Sequence, residues 1–383
     1  MVLQSFKKLL FFVCVTLVLV ILGGFGGIVF DRYVVSQLAS FPALANRGFF
    51  KKLTEQVTVI NKTEQVVIRE DDSVEKIVSQ SATTVVNIVA LAKEDTAVKQ
   101  ETTTGVLLTN DGLVATYSEK PFETVGVRYS ILLFDGTIHP ALFVGYDALV
   151  NLAFFRLSDS VNTPAISLAN SDDARVGKKL IALGNTFGEY QNRLAVGILS
   201  HNNRVFNLSG KTVSSSEKWE GVFEMDADTL TSFVGGPVIG FNGEMVGLAG
   251  SLTFDNKTKA FLIPSNVVRM SLDRIIQGTP VSRPIFGAYY LPITKALALE
   301  LGLARDRGAL IYSPSGKTGL ALIADSPAMR AGLRSGDIIV SVENTDITLD
   351  TPLPGVLARF HKGDTIDVLI IRNTQEQTIL VTL

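Results

Sequence analysis

Three histidines, His139, His201 and His361, are the first places to look for acid–base chemistry, because histidine is the commonest general base near neutral pH. None lies in a pattern that supplies a partner. His139 sits in a run leading to Val144-Gly145, His201 opens a loop with Asn202, Asn203 and Arg204, and His361 lies near the C-terminal end. Each reads as a surface or turn residue. There is no His-x-x-x-His pair and no carboxylate cluster at metal-ligand spacing, so neither a metal nor another cofactor is expected. The single cysteine, Cys14, rules out a disulfide within the chain and a cysteine-based zinc or iron–sulfur site. The remaining nucleophile candidates are hydroxyls. Thr231 and Ser232 precede Gly235-Gly236-Pro237, and Ser118 adjoins Glu119. A carboxylate alone is too weak a base to activate a serine at neutral pH unless its pKa is strongly raised.

The elements that would position these residues fall into four stretches. The chain has 383 residues, enough for two to three domains at about 150 residues each. It is 46% hydrophobic and carries 35 Lys and Arg against 37 Asp and Glu, a net charge of −2, which argues against nucleic acid as the main partner. Leu9 to Phe30 is an unbroken uncharged run that would make about 33 Å of helix, enough to span a bilayer. It lacks an Ala-x-Ala cleavage site, so it reads as an uncleaved single-pass anchor. Lys7 and Lys8 before it keep residues 1–8 in the cytoplasm and place the bulk of the chain outside the inner or cytoplasmic membrane. Residues 31–73 read as a stalk. From 74 to 280, short β-branched runs alternate with Asn110-Asp111-Gly112, Asp135-Gly136 and Asn242-Gly243 turns, the signature of an all-β barrel or sandwich. That region ends in a helix up to Ile276, with Ser265 or Asn266 as its expected cap. Residues 281–383 then read strand, helix (Thr294 to Leu301), strand, turn, strand, helix (about Pro354 to Phe360), strand, strand.

The last unit resembles a PDZ domain of the HtrA/Deg type. The motif is Ser326-Pro327-Ala328-x-x-Ala331-Gly332-Leu333-x-x-Gly336-Asp337-x-Ile339. Pro327 starts a helical turn, Gly332 ends it, and Gly336-Asp337 turns into the next strand. By this resemblance Ile285-Phe286-Gly287-Ala288 is the carboxylate-binding loop, whose backbone N–H groups hold a peptide C-terminus. Val356, Leu357 and Phe360 form either the other groove wall or plain core.

The preceding unit resembles the trypsin-like domain of the same family, through Gly105-Val-Leu-Leu-Thr-Asn-Asp-Gly-Leu-Val-Ala-Thr, Val144-Gly-Tyr-Asp-Ala-Leu-Val-Asn-Leu-Ala, Leu183-Gly-Asn-Thr-Phe-Gly, Ala195-Val-Gly-Ile-Leu-Ser, Met225-Asp-Ala, Gly235-Gly-Pro and Ile263-Pro-Ser-Asn-Val-Val. The resemblance implies a mainly β fold: a double six-stranded antiparallel barrel, then an α+β PDZ domain behind an N-terminal transmembrane helix.

Carried over position by position, the family's catalytic histidine, aspartate and serine fall on Glu119, Asn151 and Val234. The Gly-Asn that shapes its oxyanion turn falls on Ser232-Phe233. Loss of the nucleophile or base alone costs about 10⁶ in rate in such sites. The expectation is therefore a pseudoprotease that binds exposed C-terminal or unfolded peptides through its PDZ domain, as an envelope quality-control sensor, adaptor or chaperone. The family also implies a homotrimer, or assembly with an active paralogue. The competing expectation is a serine endopeptidase with a rebuilt site using Ser232.

Overall fold

The computed structural model describes residues 70–383, apart from breaks at 93–100, 123–124, 160–161, 186–191, 212, 228, 255, 279–282 and 316–319, together with scattered residues within 15–27. In the apolar run expected to cross the membrane, the described residues (Val15, Thr16, Val18, Leu19, Leu22, Gly23, Gly24, Gly26 and Gly27) are helical and exposed. The rest of that run and residues 31–69 of the expected stalk lie outside the described residues. Among the described residues no helix is long and apolar enough to cross a membrane.

Residues 68–383 form one unit. It opens with helix α1 (Glu70–Ser81), whose first turn falls within the expected stalk of residues 31–73. Six strands then close into an antiparallel barrel in the order β1-β2-β3-β6-β5-β4: β1 (Val85–Ala92), β2 (Glu101–Leu107), β3 (Leu113–Tyr117), β4 (Val127–Leu132), β5 (Ile138–Asp147) and β6 (Leu152–Leu157). After β7 (Lys179–Asn185), β8 (Asn192–Asn207) and the two-residue β9 (Ser214–Ser215) come β10 (Glu220–Asp226), β11 (Pro237–Gly240), β12 (Met245–Phe254) and β13 (Lys257–Pro264). These close a second barrel, β10-β13-β12-β11-β7-β8, which leaves β9 out.

The period of two along each strand sorts side chains between cores. In β3, Val114 joins Val86, Ile88, Ile131 and Phe155 inside the first barrel. Leu113, Ala115 and Tyr117 on the opposite face pack with Leu152, Ile181, Leu248 and Phe261 between the barrels. All five β3 residues are buried, and each large apolar side chain so placed contributes about 2 kcal/mol. The candidate chemistry sits at the end of this strand, on the seam between the barrels.

Helix α2 (Ser265–Ile276) follows β13. Its cap is Pro264, not Ser265 or Asn266, because the Ser265 hydroxyl donates instead to Ala169 O at 2.8 Å. The PDZ sheet runs β19-β18-β16-β15-β14, from β14 (Tyr289–Pro292), β15 (Ala309–Ile311), β16 (Ile338–Val342), β18 (Thr365–Arg372) and β19 (Gln375–Thr382), with the short β17 (Thr345–Asp346) paired to β16. Helix α3 (Lys295–Leu301) is capped by Thr294, whose hydroxyl accepts from Leu297 N at 3.1 Å. In the diagnostic motif Ser326 caps α4 (Pro327–Arg330), and Gly332 and Gly336 take φ of +85° and +92°. Asp337, buried at the strand entrance, accepts from Arg372 at 2.6 and 2.7 Å. Helix α5 (Leu353–Leu357) starts one residue earlier and ends before Phe360, shorter than the sequence suggested. A seventh strand extends this sheet, and it is β9: Ser215 lies opposite Tyr289 and Ser214 opposite Tyr290.

Candidate functional site

The three positions expected to correspond to a triad, Glu119, Asn151 and Val234, lie around the end of β3. Tyr117 pairs with Leu152 across the β3–β6 ladder, which carries the chain from 117 to 119 past Asn151. The Ser118 amide donates to Asn151 O at 2.9 Å. Gly235 closes the third side: a Cβ there would stand 2.2 Å from Thr104 O and 2.5 Å from Thr116 Oγ1, so only glycine, here with φ +85°, fits against β2 and β3. Val234 is thereby held near the same strand end.

The side chains at these positions do not form a nucleophile–base relay. Glu119 is exposed. Asn151 is 2% exposed and takes the left-handed φ of +57° that asparagine tolerates better than most residues. Its carboxamide is committed. Oδ1 accepts from Tyr146 Oη at 3.0 Å and from Lys218 Nζ at 2.6 Å, and Nδ2 donates to Tyr117 Oη at 3.3 Å. Lys218 Nζ also donates to Ala148 O at 2.6 Å. Burial lowers the Lys218 ammonium pKa, and burial raises both phenols, Tyr146 to about 12 and Tyr117 further. Neither phenol is a base at neutral pH. Val234 is half-buried and has no hydroxyl.

The turn before Gly235 is also filled. Residues Leu230–Phe233 form a 3-10 turn in which the Ser232 amide donates to Thr229 O at 2.9 Å, so that N–H is spent within the turn. Phe233 is 3% exposed and packs with Leu180, Val238 and Leu262. Its ring lies so close to Gly184 that a Cβ there would be 2.8 Å from Cδ1. Thr231 and Ser232 are exposed, and the Ser118 hydroxyl donates to Lys120 O at 2.6 Å. The Thr186-Phe187-Gly188 part of the Leu183 motif lies outside the described residues.

The histidines stay apart from this seam. His139 contacts Asp159 at 3.3 Å and Thr137 at 2.9 Å, and His361 lies 3.7 Å from Asp364. His201 is not in a loop: β8 runs on to Asn207 and pairs it with Glu224. Among the described residues no group of His, Cys, Asp or Glu could hold a metal.

The PDZ positions form a second constellation. The amides of Phe286 and Gly287 both donate to one carboxylate oxygen, Glu217 Oε1, at 2.9 and 2.8 Å. The Ala288 amide donates to Ser216 Oγ at 2.9 Å. Ile285 is 56% exposed, whereas Phe286 and Ala288 are buried in the PDZ core. Val356 and Leu357 belong to that core, and Phe360 packs at its margin. Leu357, with Ile285, Pro284, Pro354 and Ala358, also lines a cavity of about 400 Å³ shared with Tyr146–Leu149, Ser216 and Glu217 of the barrel unit. Beneath it Asp147, fully buried, accepts from Arg283 Nη2 at 2.6 Å, Arg283 Nε at 3.0 Å and Ser271 Oγ at 2.7 Å. Sequence reasoning missed Glu217, Lys218 and Tyr146. A Ser-Ser-Ser-Glu-Lys string carries no hydrophobic period, and only its distant partners give it a role.

Two family models match the chain. A trypsin-like peptidase domain matches residues 96–248 and a PDZ domain matches residues 305–383. The chain is 28% identical over 278 residues to a probable periplasmic serine endoprotease DegP-like of Rhizobium meliloti (strain 1021), covering 72% of this chain and 51% of that protein. It is 29% identical over 260 residues to the serine protease Do-like HtrA of Bacillus subtilis (strain 168), covering 65% and 55%. The chain thus spans about half the length of the curated relatives it matches. Among solved structures, the HtrA-type protease AlgW with tripeptide superposes with a TM-score of 0.63 at 25% identity, over 80% of this chain and 95% of that one. Two six-stranded barrels, one PDZ sheet and these relatives together support an HtrA/Deg family member.

Proposed function

We propose that this chain is a pseudoprotease of the HtrA/Deg type, anchored in the membrane by Leu9 to Phe30, whose working site is the PDZ groove. It binds exposed C-terminal or unfolded peptides outside the cytoplasm as a quality-control sensor, adaptor or chaperone, in a trimer or with an active paralogue. One observation carries the reading. At the aspartate-aligned position, the Asn151 carboxamide is locked between two tyrosines and a buried lysine, while Glu119 faces solvent and Val234 offers no nucleophile. The committed Ser232 amide and buried Phe233 support the reading that this turn serves packing rather than catalysis. The converging amides of residues 286–288 support a site for a carboxylate.

The test incubates the purified chain with an unfolded protein and maps new termini by mass spectrometry. No cleavage is expected. Cleavage that persists through purification and is lost in Ser232→Ala would replace this reading with an endopeptidase.

A further inference from the structure

The peptide-binding edge of the PDZ unit is already occupied by the protein itself. β9 adds to the free edge of β14 as an antiparallel strand, with Ser215 opposite Tyr289 and Ser214 opposite Tyr290. The Ser216 amide continues the ladder by donating to Ala288 O at 3.0 Å. At the next residue the Glu217 carboxylate enters the loop and takes both the Phe286 and Gly287 amides. The main chain then turns away, with the Lys218 amide donating to Ser215 O at 3.2 Å. An added strand that ends in a carboxylate held by backbone N–H groups is how a free peptide C-terminus docks on such an edge. Here an internal side chain stands in for that terminus.

The segment is also tied to the barrel unit at both ends. The Asn207 side chain donates to Ser215 O and Lys218 O at 3.3 and 3.0 Å, and Lys218 Nζ reaches Asn151 Oδ1. The Trp219 amide donates to Leu149 O at 2.7 Å, and its ring lies against Gly355 of α5, where a Cβ would meet it at 3.3 Å. The strand edge, the carboxylate loop and part of the helix wall are thus covered by one run of barrel residues.

We propose that Ser214–Glu217 is a built-in ligand that keeps the PDZ groove closed until a peptide with a free C-terminal carboxylate displaces it. This rests on the reading of that groove as the peptide site. The segment supplies backbone pairing and a carboxylate, but its residue beside the loop, Ser216, is small. The cavity of about 400 Å³ next to it, walled by Ile285, Pro354, Leu357 and Ala358, remains for a larger side chain. A peptide ending in a bulky apolar residue therefore gains burial that Ser216 does not supply. Displacement also frees Glu217 and Lys218, and with Lys218 its contact to Asn151 Oδ1.

The experiment uses the full chain and two variants. Glu217→Ala removes the internal carboxylate. Ser215→Cys with Tyr289→Cys places a disulfide across the directly opposed pair and locks the segment in place. The probe is a fluorescein-labelled decapeptide mixture, randomised except for a C-terminal phenylalanine with free carboxylate, read by anisotropy beside its amidated form. Amide exchange at Phe286 and Gly287 is followed in the same proteins. Exchange at both amides should quicken in Glu217→Ala. That variant should bind the free-acid mixture about tenfold or more tightly than the natural chain, as for a site open about a tenth of the time. The oxidised disulfide form should not bind until reduced. Equal affinity and unchanged exchange in Glu217→Ala overturn the built-in ligand while leaving peptide binding intact. Faster exchange with no probe bound by any form, or equal binding of the amidated mixture, overturns the groove as a carboxylate site.

Discussion

Replacing Glu220 with glutamine should remove a pH dependence of stability whose size follows from its surroundings. Glu220 sits on β10 with 2% exposure, and Tyr290 Oη of the PDZ sheet donates to its Oε2 at 2.9 Å. Burial pushes its carboxyl from 4.5 up to about 7, and hydrogen bonds from Ser214, Tyr290 and Asn207 offset only part of that rise. Glu217 is the other carboxylate acting on the Tyr290 phenol, and it too disfavours added negative charge there. A carboxyl whose folded pKa is raised stabilises the fold fully below its unfolded pKa, and that contribution is lost as pH rises through the folded value. Between pH 4.5 and about 7 the unfolded chain has released a proton that the folded chain still holds. At about 1.4 kcal/mol per pH unit, the interval amounts to about 3 kcal/mol, lost by pH 8. Other carboxylates titrate as well, so the quantity to read is the difference between the natural chain and Glu220→Gln. Equilibrium urea denaturation at pH 4.5 and pH 8 should show the glutamine variant gaining about 3 kcal/mol on the natural chain across that range. Parallel pH profiles would refute the buried, protonated Glu220, and a relative loss by the variant at high pH would reverse the sign of the argument.

The clamp beneath the cavity gives a second expectation. Arg283→Met leaves Asp147 buried without its cation and should cost about 3–5 kcal/mol by urea denaturation, most of which a further Asp147→Asn should restore. No loss in the single variant would show that the pair contributes nothing to seating the PDZ unit.

The strands and their turns were legible because their signals are local. Asn242-Gly243 joins β11 to β12, as an Asn-Gly pair between apolar runs demands. The PDZ turn was equally readable, since Ser326, Pro327 and Gly332 each do the local task their chemistry dictates. Helix α1 was not, because its charged first turn, Glu70-Asp71-Asp72, reads as solvated chain until its later residues Val74, Ile77 and Val78 pack against the inter-barrel core. The site divided in the same way. The residues at the triad-aligned positions could be named from flanking motifs, but what holds Asn151 could not, because Lys218 lies 67 positions away in sequence. β9 and Glu217 were invisible for the same reason: a polar string becomes a strand only when a distant sheet edge offers it partners. The expected caps of α2 failed because tertiary hydrogen bonds claimed the Ser265 and Asn266 side chains first.

The account rests on there being no activated nucleophile at the barrel seam. The most direct test treats the native full chain with a fluorophosphonate, which acylation-competent serines trap irrespective of substrate, and locates any adduct by peptide mass spectrometry. The account predicts no modification of Ser118 or Ser232 beyond that of the urea-unfolded chain. A stoichiometric adduct on either serine that forms only in the folded protein would contradict it.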